Sequence, residues 1–566
     1  MTRTWKSPGD LLLLPLILLA GAQLWLTHAR AWDLGGRSPI LNYDTAQYAL
    51  AARELGWHGR LASPYALPVD LVSHAAPPWP LAVVQPGLVL FEAAVFRLVP
   101  ARGSTAGPDP RAWLTLILPF CCFLMIAASL ALSVRHLFAR WWPDAPTFAR
   151  AGAALTLGLC FLLDPEAQHF AIGGFTELPF ALGLVFAFLG LALEVPVRRP
   201  LVFGVVLGLT GLFRANMLGL VPLFALGAAA CAPRPRRVRT ALLVLAGFAL
   251  PLSPWWFYKW RVFGSPSWDL TRFVVWDGVQ GRTWFSLYHR AALPVLPRGG
   301  EAYALLAAKT LHNLPGLAGQ MLAGPRGLWF GGLLGWLVLA RPARPLAVAG
   351  WVALGTAGIG VLGAAVSIPW LRFLFPTRVL FEPIGILALW ALIERIPVPT
   401  LPAAARRALL VAAAALALAW GGWCTVRGLE EARFTSRERG VPSTSSLTSL
   451  SILLSNDLAP GEPLMSSLGP SLAWQTNHPV VHLAYTPDDV EACRRRLDFR
   501  HIVLVFRGDR RAWPGWSEIV EREGFARTLP RLGVTEERRY RTADGFDVVW
   551  LVLGPLGPTL ADNAAR

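Results

Sequence analysis

Leu114 to Leu132 reads LTLILPFCCFLMIAASLAL, an unbroken run with no charged side chain. Wound as a helix at 1.5 Å per residue it rises about 28 Å, close to the roughly 30 Å of a bilayer's hydrocarbon core. Leu11 to Ala20 and Ala408 to Trp420 are runs of the same kind. Over all 566 residues, 54% are hydrophobic and 15% charged, and the mean hydropathy is +0.46. That balance excludes a soluble enzyme and a disordered chain. The chain reads as a polytopic α-helical membrane protein.

Fifty-two Lys and Arg against 35 Asp and Glu give a net charge of +17. In a soluble chain such an excess suggests nucleic acid. Here the arginines cluster in short loops between apolar runs, where they report orientation, and no nucleic-acid partner is expected. The clusters are Arg3/Lys6, Arg135/Arg140/Arg150, Arg198/Arg199, Arg234/Arg236/Arg237/Arg239, Arg341/Arg344 and Arg395/Arg406/Arg407. If all lie on the cytoplasmic face, each stretch between neighbouring clusters crosses the membrane an even number of times. The first apolar run has a charged start, but Leu26-Thr27-His28-Ala29-Arg30 is a poor cleavage site, so it is read as an uncleaved first span. Six cysteines lie mostly in apolar runs without CxxC or metal-ligand spacing, so neither a disulfide framework nor a zinc site is expected.

Parity then sets three outer turns: Asp164 to His169, Arg214-Ala215-Asn216, and Ser367 to Arg372. Leu81 to Val99 carries Pro86, Glu92 and Arg97 and is read as an interfacial helix within one large outer loop, residues 29–111. A second outer segment, 258–327, interleaves aromatic and cationic residues such as Trp268, Arg272, Trp276 and Arg282. The count is about eleven spans in a membrane domain of residues 1–425. The tail, 426–566, alternates strand-like runs (Pro463 to Leu468, Val480 to Tyr485, His501 to Phe506, Asp547 to Leu553) with helix-like ones, including Thr486-Pro487-Asp488-Asp489 as a helix start. It reads as an extracytoplasmic α/β domain.

Ionisable groups at the membrane face are functional candidates because they are costly there. Asp44 and Tyr48, in Asn42-Tyr43-Asp44-Thr45-Ala46-Gln47-Tyr48, share a helix start; Asp44 is either an N-cap or a carboxylate able to take a proton from an acceptor hydroxyl. Glu177, between Phe175 and Phe180, is harder to read as a solvated turn than Asp164 or Glu166. Arg214 and Arg372 are lone arginines at the tips of apolar hairpins, suited either to snorkelling or to binding a lipid-linked phosphate. His58 and His74 lie in the first outer loop without a second convincing metal ligand. In the tail, Trp474 and Tyr485 read as buried packing rather than sugar-stacking platforms.

The run Asp44 to Arg53, then His74-Ala75-Ala76-Pro77-Pro78-Trp79-Pro80-Leu81, then a helix ending Phe96-Arg97-Leu98, resembles the C-type integral-membrane glycosyltransferases. Within them it is most similar to the protein mannosyltransferase and aminoarabinose transferase group. Thr176-Glu177-Leu178-Pro179, Phe213-Arg214-Ala215-Asn216 and Arg372-Phe373-Leu374-Phe375-Pro376 extend the resemblance, in order, over roughly residues 1–425. It implies transfer of a sugar from a polyprenyl-phosphate donor to an acceptor hydroxyl of a lipid, glycan or protein at the outer face of the inner membrane. Asp44 would be the general base of an inverting reaction, Arg214 and Arg372 would hold the donor phosphate, and Glu177, Tyr48 and His74 would line the substrate site. No cofactor is required, and a divalent metal is left open. Two departures stand out: Thr45 occupies the place where a second acid is common, and two alanines separate His74 from Pro77-Pro78. The competing readings are a transporter or flippase and a catalytically degenerate member of the family.

Overall fold

A computed structural model describes residues 8–34, 43–82, 84–99, 110–141, 147–323, 325–339, 342–395, 442–506, 513–516, 519 and 532–555, with isolated positions between 404 and 430. Arg3, Lys6, Arg341, Arg406, Arg407 and most of the span expected near Leu409 to Trp423 lie outside the described residues. The membrane part contains α1 (Pro8–Leu34), α2 (Tyr43–His58), α3 (Pro86–Leu98), α4 (Ile117–Trp141), α5 (Thr147–Leu162), α6 (Pro165–Gly173), α7 (Glu177–Ala192) and the single turn α8 (Val195–Arg198). It continues through α9 (Pro200–Gly211), α10 (Met217–Cys231), α11 (Arg237–Phe263), α12 (Trp284–Tyr288), α13 (Gly299–Met321), α14 (Pro325–Leu339), α15 (Arg344–Val366) and α16 (Phe375–Arg395).

Among the described residues, three helices are long and apolar enough to cross a membrane: Arg111–Ser133, Arg234–Phe263 and Arg344–Val366. A fourth span is reached if α6 and α7, bent by 119° at their break, are counted as one, and several shorter apolar helices accompany them. Helices α1, with 27 residues, and α16, with 21, are of spanning length as well. These helices share one buried cluster running from Ile17 through Phe123, Leu184, Leu207, Phe224 and Ala353 to Phe381. Small residues set the closest approach: a Cβ on Gly204 of α9 would lie 2.2 Å from the Val244 carbonyl of α11, and one on Gly247 would lie 2.3 Å from the Leu201 carbonyl. Only glycine lets these two backbones meet.

The tail folds around a six-stranded sheet of order β2-β5-β4-β6-β8-β7, with β2 (Tyr65–Ala66), β4 (Leu464–Ser466), β5 (Val480–His482), β6 (His501–Phe506), β7 (Val534–Arg541) and β8 (Asp547–Leu553), while β1 (Ala62–Ser63) pairs separately and antiparallel with β3 (Trp79–Pro80). The first four strands in that order are parallel and the last two pair antiparallel. Strand alternation divides the side chains between two cores. Val503, Val505, Val548 and Trp550 join α2, α3 and the loops of the membrane part, whereas Ile502, Leu504, Val549 and Leu551 build the far side with Trp516. The edge strand β2 comes from the first large loop, with Tyr65 opposite Val480 and Ala66 opposite Val481. Loop and tail are therefore one folded body.

Several local expectations are corrected. The interfacial helix starts at Pro86, after extended Gln85, and its Glu92 is buried in the packing and faces no solvent. The second loop segment begins only after α11 ends at Phe263, and it ends in α13, whose Leu317 and Met321 pack into the core of the spans. The tail helix starts at Asp489; Thr486 donates its hydroxyl to the Asp489 carboxylate at 2.7 Å and does not cap the helix. Strands β2 and β7 escaped the sequence reading, the first for its length and the second because VTEERRYR carries the charges of an exposed edge.

Candidate active site

Four separate elements end at one point. Asp44 is the second residue of α2, Glu177 opens α7, Arg214 sits in the turn between α9 and α10, and Arg372 lies in the 3-10 turn Leu371–Leu374 before α16. Arg372 donates from Nε to Glu177 Oε1 at 2.5 Å and from Nη2 to Asp44 Oδ2 at 2.6 Å. Arg214 Nη1 reaches the same Glu177 Oε1 at 2.8 Å. Two carboxylates and two guanidiniums thus sum to zero formal charge, which is what lets Glu177 sit fully buried. The cluster is not sealed: the Asp44 and Arg372 side chains keep 34% and 30% exposure. Burial opposes the Arg372 charge, but Asp44 and Glu177 beside it raise its pKa above the ordinary guanidinium value.

The local sequence explains why these groups converge. Asp164 caps α6 by accepting from the Glu166 N–H at 2.8 Å, and Gly174 ends α6 in the left-handed region at φ +67°. A Cβ there would meet Thr45 Cγ2 at 2.7 Å, so glycine is needed for both the turn and the contact. Thr45 is fully buried and its hydroxyl donates to the Gly173 carbonyl, fastening α2 to the α6–α7 break. Thr45, noted in the sequence as standing in place of a second acid, is a clamp between α2 and α6. Aromatic rings lie under both cations: Phe175 under Arg372 at 4.4 Å and Phe373 under Arg214 at 5.3 Å. The Arg214 turn is held by Gly87, whose N–H donates to Leu212 O at 2.8 Å. The Arg372 turn is held by Lys309, whose Nζ donates to Ser367 O at 2.5 Å and Val275 O at 2.9 Å.

Tyr48 stands one helical turn from Asp44, hydrogen-bonded to the Thr176 side chain; burial, with Asp44 nearby, raises its pKa above the usual phenol value. His74 is not part of this group. Its ring packs edge-on against Phe263 at 5.6 Å, at the end of α11. His58 lies 4.0 Å from Glu54 on its own helix. Trp474 is buried, with the Arg53 guanidinium 4.8 Å from its ring, and Tyr485 carries Arg290 at 5.0 Å.

Asp164 and Glu166, read as a solvated turn, instead face Arg378 of α16: its guanidinium bonds Glu166 and Glu382 and lies 3.4 Å from Asp164. Arg326 joins at 3.1 Å from Glu382. Arg378 thereby anchors the start of α6 while Thr45 anchors its end, and together they fix Glu177. An arginine and a glutamate one turn apart within an apolar run were the available signal for this second network. The donor set of the first cluster does not suit a divalent cation, since both carboxylates are engaged by Arg372 and Thr45 is turned away. Among the described residues no three His, Cys, Asp or Glu side chains converge as metal ligands.

No protein-family model matches the chain, nor does any curated protein sequence. Solved structures do. ArnT from Cupriavidus metallidurans bound to undecaprenyl phosphate superposes with a TM-score of 0.54 at 15% identity, covering 96% of this chain and 99% of that one. The same enzyme in the apo state gives 0.53 at 16% identity, over 94% and 99%. The Archaeoglobus fulgidus oligosaccharyltransferase tethered with an acceptor peptide gives 0.49 at 14%, over 94% of this chain and 73% of that one. On the strength of the near-complete overlap with ArnT, an aminoarabinose transferase, this chain has the C-type fold of membrane glycosyltransferases.

Proposed function

We propose that the protein is a glycosyltransferase that moves a sugar from a polyprenyl-phosphate-linked donor to an acceptor hydroxyl at the outer face of the membrane. The observation that carries the reading is the half-open cluster in which Arg372 joins Asp44 to Glu177, with Arg214 on the same carboxylate. It supplies a base beside two phosphate-binding groups, within a fold whose solved neighbour is bound to undecaprenyl phosphate. In this scheme the acceptor oxygen attacks the anomeric carbon while its proton passes to an Asp44 oxygen. The bond from the anomeric carbon to the phosphate oxygen breaks, its electron pair stays on the phosphate, and configuration inverts. Arg214 and Arg372 offset the charge growing on the leaving group. Glu177 Oε2, buried and with no hydrogen-bond partner among the described residues, suits a sugar hydroxyl. Tyr48 would line the same space.

On this reading about eleven spans in residues 1–425 begin in the cytoplasm, and residues 426–566, with the first large loop, cap the site outside the inner membrane. The test is sugar transfer or slow hydrolysis by the purified protein in lipid, offered a panel of polyprenyl-phosphate sugars. Turnover of at least one donor is expected; flipping of a lipid without turnover would favour the transporter reading. Orientation has its own test. A cysteine placed in the Arg234 to Arg239 turn should be shielded from impermeant thiol reagents in intact cells, and one in the tail should be labelled. The reverse pattern would place Asp44 away from the expected donor.

A further inference from the structure

Gly204 of α9 approaches Val244 and Gly247 of α11, Gly208 approaches Phe248 and Pro251, and Gly211 approaches Leu252. The contacts advance together along both chains, so the two helices run parallel and start at one level. Five exposed arginines gather there: Arg198 and Arg199 just before α9, Arg234 and Arg236 in the 3-10 turn before α11, and Arg239 in the first turn of α11. The single turn α8, which carries Arg198, packs against both α10 and α11. None of the five forms an ion pair among the described residues. Between Glu194 and Asp269 the sequence holds no acid, and Glu194 shares its place beside Cys231 with a further cation, Arg344. Guanidiniums held this close repel one another, and one carboxylate does not offset them.

The exposed side chains that accompany them on the same helices are apolar: Leu201 and Val202 on α9, and Val238, Leu242 and Leu245 at i, i+4 and i+7 on α11. A soluble anion would use the arginines and leave this strip bare. A ligand whose phosphates are joined to acyl chains covers both, with phosphate on the guanidiniums and hydrocarbon along the strip. Five cations spread over two helix starts suit two phosphates better than one. Because α9 rises about 18 Å over its 12 residues, this end is remote from the Arg214 turn at the other.

We propose that α8 and the starts of α9 and α11 form a binding site for an anionic phospholipid headgroup, with a two-phosphate lipid such as diphosphatidylglycerol as its best occupant. The site is separate from the sugar chemistry proposed above and does not depend on it. On the orientation reading it faces the cytoplasmic leaflet.

Full-length protein in detergent is titrated separately with diphosphatidylglycerol, phosphatidylglycerol and phosphatidylcholine, and bound lipid is counted by native mass spectrometry. Wild type should prefer diphosphatidylglycerol to phosphatidylcholine by at least about tenfold, equivalent to about 1.4 kcal/mol. Arg198→Gln, Arg199→Gln, Arg234→Gln, Arg236→Gln and Arg239→Gln together should abolish that preference. The corresponding Arg→Lys changes keep the charge and should hold binding to within about threefold, a rescue that loss of packing would not give. Arg372→Gln, at the candidate active site, should bind the lipid as wild type does. The proposal is overturned if the five-glutamine variant binds diphosphatidylglycerol as tightly as wild type, or if Arg372→Gln alone removes the binding. It is equally overturned if inorganic phosphate binds as tightly as the lipid, which would make the site one for a soluble anion. Should the five-glutamine variant fail to fold by size exclusion, the pairs Arg198→Gln with Arg199→Gln and Arg234→Gln with Arg236→Gln carry the test, each weakening binding at least about fivefold.

Discussion

Replacing Arg372 with glutamine should injure both stability and chemistry, by amounts the geometry allows one to apportion. Its bond to Asp44 involves a carboxylate 34% exposed, and such a screened pair contributes about 1 kcal/mol or less. Its bond to Glu177 involves a fully buried carboxylate, for which a charge-assisted bond contributes about 1.5–3 kcal/mol. The total is about 2–4 kcal/mol. It falls short of the cost of a wholly orphaned buried charge because Arg214 still reaches Glu177 at 2.8 Å. The four-charge cluster would be left with one excess negative charge, so a second change, Glu177→Gln, restores neutrality. The double variant should therefore lose less than the sum of the single variants, with a coupling of at least about 1 kcal/mol. Thermal and denaturant unfolding of the four proteins in detergent reads this cycle. Turnover of Arg372→Gln should fall roughly 10²–10³-fold, the usual loss when a donor to a developing oxyanion is removed. Additive effects within about 0.5 kcal/mol, or turnover within about threefold of wild type, would refute the reasoning.

Glu92 of α3 has both carboxylate oxygens buried without a partner among the described residues, and burial raises its pKa well above the usual range. Its contribution to stability is present below the unfolded pKa and is lost as pH rises toward the folded one, so Glu92→Gln should flatten the acid-to-neutral stability profile and match or exceed wild type at pH 8. Asp70 follows the same sign: burial, opposed by the Leu67 N–H at 2.9 Å, lifts its pKa to about 7, so wild type should lose stability between about pH 4 and 7 and Asp70→Asn should not. Thr45→Val should leave the Gly173 carbonyl unpaired, costing about 1–3 kcal/mol and lowering kcat, whereas Thr45→Ser should retain most of both in unfolding and turnover assays. Gly247→Val should sharply reduce the folded yield in detergent size exclusion, since even a Cβ there lies 2.3 Å from the Leu201 carbonyl.

Much of the candidate site is legible in the sequence. Asp44, Glu177, Arg214 and Arg372 each interrupt an apolar context, and an ionised group in such a place must have a reason; the structure unites all four. His74 resembles a site residue only through the nearby Pro77-Pro78, and its ring packs on Phe263. The clamp made by Thr45 is not legible in the sequence, because a hydroxyl's partner 128 residues away leaves no local trace. Asp164 and Glu166 looked like an ordinary solvated turn, and their pairing with Arg378 depended on how α6 and α16 meet. In the tail, the alternating apolar strands were legible, while β2 was invisible: two residues in a loop acquire strand character only from Val480 and Val481 beside them. The eleven-span count rests on apolar length and on the parity of the arginine clusters, and α6 with α7 shows why length alone does not decide a span: the pair bends by 119° at its break.

The most direct test of the central claim is to compare wild type with Asp44→Asn in sugar transfer from polyprenyl-phosphate donors, measuring donor binding in the same preparations. The account predicts turnover by wild type that disappears in Asp44→Asn while binding of the donor is retained. Undiminished transfer by Asp44→Asn would contradict it, because the reaction would then need no base at the point where Asp44, Arg372, Glu177 and Arg214 converge.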